Sequence, residues 1–275
     1  MHAQSEITIQ QITELIALIE NLYGFDFSNY SKASLRRRVI RIMQLQKLPF
    51  YDLKHQLVNK PGFFQHFLEE VTVNVTEMFR DPSFYQALNN QIIPYLSSYQ
   101  HSKIWSAGSS SGEEAYSLAI LLNEAGLRKK TFIYGTDINT EMLDEARKGI
   151  YSLRKIKSYA ENYQMTGLSG SIIDHFTVLY DAATIHNELK QNTLFSVHNL
   201  VSDGVFNEFQ LICCRNVFIY FENALQEHVL DLFYNSLAPL GFLCLGTKET
   251  IRSETFKKKF RVINQKENIY QKIGS

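Results

Sequence analysis

The sequence predicts an α/β protein in which a mostly parallel, doubly wound sheet follows a small all-helical region. Three observations predict this class. From about residue 102, short apolar runs alternate with amphipathic helical patterns, as in a parallel sheet with crossover helices. The first 75 residues instead repeat apolar side chains at helical spacing. Two short segments at 260–263 and 269–272, on either side of Asn264, predict an antiparallel hairpin at the end of the chain.

The helical region contains four predicted helices. The first apolar pattern consists of Ile12, Leu15, Ile16, Ile19 and Leu22. The second consists of Leu35, Val39, Ile42, Met43 and Leu45. Gly24 and Pro49 end these two patterns, and Pro61-Gly62 separates two further short helices. We expect this region to form its own apolar core.

The second region reads as strands alternating with helices. We predict strands at residues 103–107, 131–136, 193–197, 209–214 and 241–245, and helices at 113–125, 141–148 and 224–237. In a doubly wound sheet, ligands bind beyond the carboxyl ends of the strands, where the strand order reverses. The candidate functional residues are therefore those that directly follow a predicted strand.

The composition excludes several classes of protein. The 275 residues are 45% hydrophobic, and 28 basic residues balance 28 acidic ones. No apolar run approaches the roughly 18 residues that cross a bilayer, and the start MHAQSEITIQ lacks a signal-peptide pattern. Three cysteines offer no disulfide framework, and eight histidines show no zinc spacing. We expect a cytoplasmic protein without membrane insertion and without a metal site.

One segment concentrates positive charge. Residues 31–60 hold eight basic side chains and one acidic residue, Asp52. Arg37, Arg38 and Arg41 fall at helical spacing on one side, with Arg36 beside them. Arginine suits pairing with carboxylates or phosphates, so the segment is a candidate docking face for an acidic partner. A solvated helix face explains the same pattern equally well.

The turn after the first predicted strand suggests a cationic ligand. Residues 107–114 read AGSSSGEE, and their small side chains let a bound ligand approach the backbone and the next helix start. The spacing is not the dinucleotide pattern GxGxxG. Glu113 and Glu114 suit the helix dipole, but carboxylates here repel a pyrophosphate and attract an amine or a sulfonium. The turn therefore favours S-adenosylmethionine over NAD.

An acidic residue ends the second predicted strand. Asp137 lies 25 residues after Gly112, where an acid accepts hydrogen bonds from ribose hydroxyls. The alternative is that Asp137 caps the helix that begins near Asn139. We favour ribose binding because of the turn that precedes it.

Polar residues also follow the strand predicted at 209–214. Arg215 and Asn216 come directly after FQLICC and precede VFIY. The (Asp/Asn)-Pro-Pro-(Tyr/Phe/Trp) element that grips amines in many nitrogen methyltransferases is missing here. We therefore do not expect a base amine as the methyl acceptor. Cys214 is predicted to be a buried strand residue and not a nucleophile.

Six motifs in order resemble the chemotaxis-receptor glutamate methyltransferases of the CheR type. They are RRRVIR at 36–41, NVTEMFRD at 74–81, WSAGSSSGEEAYSLA at 105–119, GTDINTEMLDEARKGIY at 135–151, HNL at 198–200, and CRNVFIYF at 214–221 together with PLGFLCLGTKE at 239–249. The resemblance covers nearly the whole chain. The sequence departs from the family pattern at Val75, Met78, Ala115, Gln210 and Thr247-Lys248. None of these departures removes a group that we assign to the cofactor.

The resemblance implies a fold and a domain organisation. Residues 1–75 would form the all-helical, receptor-facing domain. Residues 76–275 would form a Rossmann-like S-adenosylmethionine methyltransferase domain, with antiparallel strands at its C-terminal edge. A small antiparallel β insertion at about 152–194, of a kind that can grip receptor tails, would interrupt it.

The resemblance also implies a cofactor site. Its residues would be Asn74, Thr76, Arg80, Glu114, Asp137, Asn199, Leu200, Arg215 and Asn216. Glu114 would lie near the amino-acid end of S-adenosylmethionine, Asp137 at its ribose, and residues 199–200 beside its adenine. Without the resemblance, residues 74–80 read more simply as the start of a helix near Pro82.

The implied chemistry is methylation of glutamate side chains on the cytoplasmic domain of chemotaxis receptors. Tyr220 and Arg80 would be the catalytic residues, which orient the acceptor carboxylate near the transferred methyl. The substrate-binding residues would be Arg36, Arg37, Arg38 and Arg41. A glutamate with a pKa near 4.3 is ionised at pH 7, so no general base is needed.

Three alternatives stay open at the level of sequence. The first is a scaffold that keeps the fold and binds the cofactor without modifying a receptor. The second is a small-molecule carboxyl methyltransferase, which leaves the arginine helix without a task. The third, a nucleic-acid methyltransferase, is disfavoured because the basic patch is small and lacks interleaved aromatic residues. We expect a monomer that binds neither nucleic acid nor metal.

Overall fold

The computed structural model describes residues 7–72 and 75–274 and divides the chain into two units. The smaller unit contains the N-terminal helices together with residues 220–228. The larger unit contains the remaining described residues. Within the smaller unit, residues 220–222 bond to the turn before the second helix, where Ser31 donates its backbone N–H to Tyr220 and Glu222 donates to Asn29. This grouping was not predicted from the sequence.

Four helices build the smaller unit. They are α1 (Ile9–Tyr23), α2 (Lys32–Gln46), α3 (Phe50–Asn59) and α4 (Phe63–Val71). A capping box between Thr8 and Gln11 starts α1, and Gly24 ends it in the left-handed conformation, as predicted. The apolar faces meet in a core that includes Leu15, Val39 and Phe67.

Two apolar residues of the helical patterns do not belong to this core. The side chains of Leu22 and Leu45 are exposed, although both continue the spacing of their helices. Each lies in the last turn of its helix. The spacing of apolar residues predicts which face of a helix is apolar, and it does not show which positions on that face are buried.

The larger unit is organised around a seven-stranded sheet. Its strands are β1 (Ser102–Ala107), β2 (Thr131–Asp137), β6 (Thr193–Val197), β7 (Phe209–Cys214), β8 (Leu237–Leu245), β9 (Phe260–Asn264) and β10 (Ile269–Lys272). The strand order is β6-β2-β1-β7-β8-β10-β9. The pairs β6–β2, β2–β1, β1–β7 and β7–β8 are parallel, and β8–β10 and β10–β9 are antiparallel. The predicted doubly wound sheet with an antiparallel C-terminal edge is confirmed.

Of the described α-helices from residue 82 onward, and leaving aside the insertion, two precede β1 and four lie between strands of this sheet. They are α5 (Pro82–Ala87), α6 (Ile93–Ser97), α7 (Glu113–Glu124), α8 (Thr140–Lys148), α11 (Asn223–Ser236) and α12 (Glu254–Lys257), with one π-helical turn at Leu88–Ile92. The chain runs from β1 outward through β2 to β6 and then returns to the other side of β1 as β7. The strand order therefore reverses between β1 and β7, which is where such folds bind ligands.

A second, three-stranded antiparallel sheet lies between α8 and β6 in the sequence. Its strands are β3 (Ile150–Ser152), β4 (Phe176–Val178) and β5 (Ala182–Ile185), in the order β3-β5-β4. The predicted antiparallel insertion is present. It also contains two helices that were not predicted, α9 (Leu153–Met165) and α10 (Asn187–Lys190). The buried residues Ile156, Tyr159 and Tyr163 follow the helical period of α9.

The core of the larger unit includes residues from each of the five predicted parallel strands, namely Ile104, Ile133, Phe195, Leu211 and Phe242. Trp105 and the three cysteines are buried, and the cysteine thiols are free. Among the described residues, no helix is both long enough and apolar enough to cross a membrane.

Candidate active site

The turn after β1 is held against the end of β2. The backbone N–H groups of Gly108 and Ser109 both donate to the carbonyl oxygen of Thr136, at 2.8 Å each. Gly108 and Gly112 have positive φ angles, and a Cβ added at Gly108 would lie 2.5 Å from Cγ2 of Val217. Glycine is therefore required here for both conformation and space. The turn Gly108–Gly112 is therefore closely packed, and we call it the cradle.

Asp137 fastens this cradle from the end of β2. Its Oδ2 accepts a hydrogen bond from the backbone N–H of Ser110 at 2.8 Å, and its Oδ1 accepts one from Asn139 at 2.9 Å. The cap of α8 is Asn139, whose Oδ1 accepts from the backbone of Glu141 and Met142. Burial raises the pKa of Asp137, and its backbone hydrogen bonds oppose that shift. The capping alternative is thus only partly correct, since Asp137 supports the turn before the cap.

Glu114 lies in the first turn of α7, beside the end of β1. Its Oε1 accepts from the hydroxyl of Ser106 at 2.8 Å, and its Oε2 lies 3.7 Å from Nη1 of Arg215. Burial raises the pKa of Glu114, Arg215 lowers it in part, and Glu249 raises it further. A carboxylate in this position gains from any cationic ligand that approaches it.

Arg215 joins three parts of the site. Only 2% of its side chain is exposed, and its Nη2 lies 2.6 Å from Oδ2 of Asp81. Its Nη1 also donates to the carbonyl oxygen of Arg80 at 3.3 Å, and the guanidinium lies 3.9 Å from the ring centroid of Phe84. Burial lowers the pKa of Arg215, but Tyr85, Glu114 and Asp81 raise it, and the net direction is upward. Arg215 therefore stays a cation that orients Glu114.

Glu249 anchors the turn that carries Asn216. Its Oε2 accepts backbone hydrogen bonds from Gly246 at 2.6 Å and Asn216 at 2.9 Å, and its Oε1 accepts from Ile219 at 3.2 Å. Asn216 has a φ of 64°, a conformation that needs such support. Burial raises the pKa of Glu249, and the backbone donors oppose that shift.

Two further turns carry predicted cofactor residues. The HNL turn begins beside β2, because His198 donates its backbone N–H to the carbonyl oxygen of Asp137 at 3.2 Å. Leu200 is buried, and Asn199 is occupied locally, with its Oδ1 accepting from Val201 at 2.9 Å. In the turn before α5, Arg80 donates to the carbonyl oxygen of Val75 at 3.2 Å.

The other predicted site residues have different outcomes. Asn74 lies outside the described residues, and Thr76 is half-buried in the turn before α5. Tyr220 groups with the helical unit, as do the arginines of α2. Arg37 and Arg41 are exposed, whereas Arg36 donates to the carbonyl oxygen of Ile7 at 2.5 Å.

Several contributing residues were not predicted from the sequence. Ser106 and Asp81 were not singled out, and Glu249 was noted only as part of a motif. Asp81 directly follows Arg80, a predicted site residue, so its position in the sequence already indicated that it lies near the site. The pairing of Asp81 with Arg215 joins residues that are 134 positions apart, which no local pattern indicates.

The residues present fit S-adenosylmethionine. Two half-buried carboxylates, Glu114 and Asp137, suit an ammonium, a sulfonium and ribose hydroxyls, which are cations or hydrogen-bond donors. The hydroxyls of Ser109 and Ser110 are buried and have no hydrogen-bond partner among the described residues. Unpaired hydroxyls in the cradle are available to a polar ligand. The fold and the site together define a Rossmann-like methyltransferase.

Comparisons with known proteins agree with this class. Residues 74–269 match the family described as "CheR methyltransferase, SAM binding domain", and residues 10–72 match "CheR methyltransferase, all-alpha domain". The chain belongs to the CheR methyltransferase family. Its cofactor is S-adenosylmethionine.

Full-length relatives are found in several bacteria. The Pseudomonas putida protein Cher3, which carries a provisional methyltransferase name, is 41% identical over 263 residues, or 95% of this chain and 96% of its own length. A chemotaxis protein methyltransferase of Borreliella burgdorferi is 30% identical over 90% of each chain. Another, from Listeria monocytogenes, is 29% identical over 83% of this chain and 85% of its own.

Proposed function

We propose that this protein transfers a methyl group from S-adenosylmethionine to glutamate side chains of chemotaxis receptors, as a protein-glutamate O-methyltransferase. The observation that carries the proposal is the pair of half-buried carboxylates, Glu114 and Asp137, at the reversal point of the sheet. This pair suits a cationic nucleoside. The names of the relatives in Borreliella and Listeria supply the substrate class.

The proposed cofactor site extends beyond this pair. We assign to it Asn74, Thr76, Arg80, Glu114, Asp137, Asn199, Leu200, Arg215 and Asn216. Glu114 holds the ammonium, Asp137 accepts from the ribose hydroxyls, and residues 199–200 flank the adenine. When bound, the cofactor supplies a methyl group on a positively charged sulfur. Arg215 does not contact that charge in our assignment, because its guanidinium is already paired with Asp81 and Glu114.

The chain supplies alignment in place of proton transfer. The acceptor glutamate is already a carboxylate at pH 7 and needs no base. We assign Arg80 and Tyr220 to orient its attacking oxygen, with contacts weak enough to leave the oxygen nucleophilic. Alignment and shielding from water contribute on the order of 7–11 kcal/mol to lowering such a barrier.

The proposal assigns receptor docking to the smaller unit. Residues 1–75 form the receptor-facing domain and residues 76–275 the methyltransferase domain, with an insertion at about 152–194. Arg36, Arg37, Arg38 and Arg41 face acidic receptor helices. Arg37 and Arg41 are the exposed members of this set, but Nε of Arg41 lies 3.9 Å from Oε2 of Glu70, and Arg36 bonds to the carbonyl oxygen of Ile7. The enzyme acts in the cytoplasm, as a monomer.

The test uses receptor-bearing membranes and S-adenosylmethionine with a tritiated methyl group. Methyl esters of glutamate are hydrolysed by mild base, so we expect label on the receptor that base releases as methanol. Cofactor binding is measured separately by calorimetry. Binding without receptor labelling would refute the enzyme assignment and favour the scaffold. Labelling of small carboxylic acids alone would refute the receptor as substrate.

A further inference from the structure

Glu113 is a buried carboxylate that the proposed cofactor site does not use. Its side chain is 0% exposed, although it directly follows the Gly108–Gly112 cradle. Its Oε2 accepts from the hydroxyl of Ser111 at 2.7 Å. Its Oε1 accepts from Nζ of Lys155 at 3.0 Å and from the hydroxyl of Tyr159 at 2.8 Å. Both oxygens are therefore occupied by protein groups.

The partners of Glu113 belong to the insertion. Lys155 and Tyr159 lie four residues apart on one face of α9. Tyr151 of β3 adds a second link, because its hydroxyl donates to the carbonyl oxygen of Ser111 at 2.9 Å. The first strand of the insertion, β3, and its first helix, α9, therefore hold the end of the cradle in place through hydrogen bonds to Ser111 and Glu113.

The same helix also supports the turn that carries Arg80. Asn162 of α9 donates its side-chain N–H to the carbonyl oxygen of Met78 at 3.0 Å. The ring of Tyr163 lies edge-on to Phe79, with centroids 5.0 Å apart. Phe79 and Asp81 both have positive φ angles, so this turn is strained and needs such support. Helix α9 therefore contacts both Glu113, which follows the cradle, and the turn that carries Arg80.

We propose that Glu113 is a positioning residue which, through Lys155 and Tyr159, couples helix α9 of the insertion to the cofactor cradle. A buried carboxylate without its cation costs free energy. Loss of Lys155 therefore favours conformations in which the first turn of α7 and Ser111 have moved from their positions in this structure. The cradle is then less ordered before the cofactor binds, and cofactor affinity falls. By linkage, a ligand that orders α9 also tightens cofactor binding.

This inference rests on cofactor binding at the cradle and does not depend on the identity of the methyl acceptor. Its test measures the affinity of the full chain for S-adenosylhomocysteine by calorimetry, in the wild type, K155M and Y159F. The matched control is K157M, which removes an exposed lysine two residues along the same helix. Hydrogen exchange of the backbone amides at residues 109–112 is followed in each variant.

We expect K155M to weaken S-adenosylhomocysteine binding by at least about fivefold, the lower end of typical coupling between sites. The amides of the cradle should exchange faster, and K157M should behave like the wild type. A double-mutant cycle with E113Q tests the route. In E113Q the carboxylate charge is gone, so adding K155M should cost much less than it does in the wild type.

Three outcomes would overturn the inference. Unchanged affinity in K155M and Y159F would remove the coupling, as would a lower melting temperature with unchanged affinity and cradle exchange. Additive effects of E113Q and K155M would show that Lys155 does not act through Glu113. If the wild type itself fails to bind S-adenosylhomocysteine, the cofactor assignment fails too, and that result is distinct from binding by the wild type and all variants alike.

Discussion

Asp137 illustrates how one side chain can serve both the fold and the ligand. It accepts a hydrogen bond from Ser110 in the cradle and another from Asn139 at the start of α8. A carboxylate has room for about four acceptor interactions, so ribose hydroxyls can be added without breaking the existing bonds. The sequence presented ribose binding and helix capping as alternatives. The structure assigns the cap to Asn139 and leaves ribose binding to Asp137 as a proposal.

We predict that Asp137→Asn weakens S-adenosylhomocysteine binding by at least about tenfold, because a hydrogen bond to a charged group contributes about 1.5–3 kcal/mol. The amide can accept on one atom only, so either Ser110 or Asn139 would face an N–H donor. Calorimetry measures the affinity. Asp144→Asn, an exposed change on α8, is the control. Equal affinities in the two variants would refute the role of Asp137.

Arg215 marks the limit of what a sequence reveals at this scale. Its place after β7 predicted a pocket residue, and Glu114 was predicted independently from the turn after β1. The ion pair between them, and the second one to Asp81, depend on the packing of β1 against β7 and on the turn before α5. Such pairings follow from the tertiary fold, so residue types and spacing cannot supply them.

At the scale of elements, Glu249 ties the end of β8 to the turn after β7. We predict that Glu249→Ala lowers the free energy of unfolding by about 1–3 kcal/mol, since it leaves three backbone N–H groups without their acceptor. Urea denaturation measures the loss. Glu254→Ala removes an exposed carboxylate as the control. A loss no greater than that of the control would show that the backbone donors find other partners.

Helix α2 gives a prediction about the acceptor. We expect R37A/R41A to lower receptor methylation by about tenfold at low salt, because paired charges across an interface mainly accelerate association. Affinity for S-adenosylhomocysteine should not change. The control K258A/K266A removes the same charge from exposed positions elsewhere. An equal loss in the control, or no loss in R37A/R41A, would remove α2 from the docking surface.

The strands were predicted more accurately than the insertion. The runs at 193–197 and 209–214 have the predicted bounds, because each is a short apolar run between polar turns. Strand β8 begins at Leu237 and not at 241, and it contains Pro239, a residue that is uncommon inside strands. Helix α9 is not among the predicted elements, because the family resemblance implies only antiparallel strands here, although Ile156, Tyr159 and Tyr163 follow a helical period.

On the scale of the whole molecule, the formal charge is zero, yet the larger unit carries three acids at or shortly after the ends of strands of its sheet, the half-buried Glu114 and Asp137 and the buried Glu249. Burial raises the pKa values of Glu114, Asp137 and Glu249. The ligand-free protein therefore holds protons on these groups to a higher pH than the unfolded chain does. Their contribution to stability falls as pH rises from the ordinary carboxyl pKa through the raised values. Carboxylates in favourable ion pairs have the opposite pH dependence, because their contribution to stability rises with pH.

A cationic cofactor should reverse part of this effect. It favours the ionised forms of Glu114 and Asp137, so binding should release protons and should tighten as pH rises through the raised pKa values. We predict net proton release when S-adenosylmethionine binds at a pH just above the ordinary carboxyl pKa, measured by calorimetry in two buffers of different ionisation enthalpy. Because the two carboxylates carry this release, E114Q/D137N should reduce it together with the affinity. Proton uptake, or release that persists in the double variant, would mean that other groups receive the positive charge of the ligand.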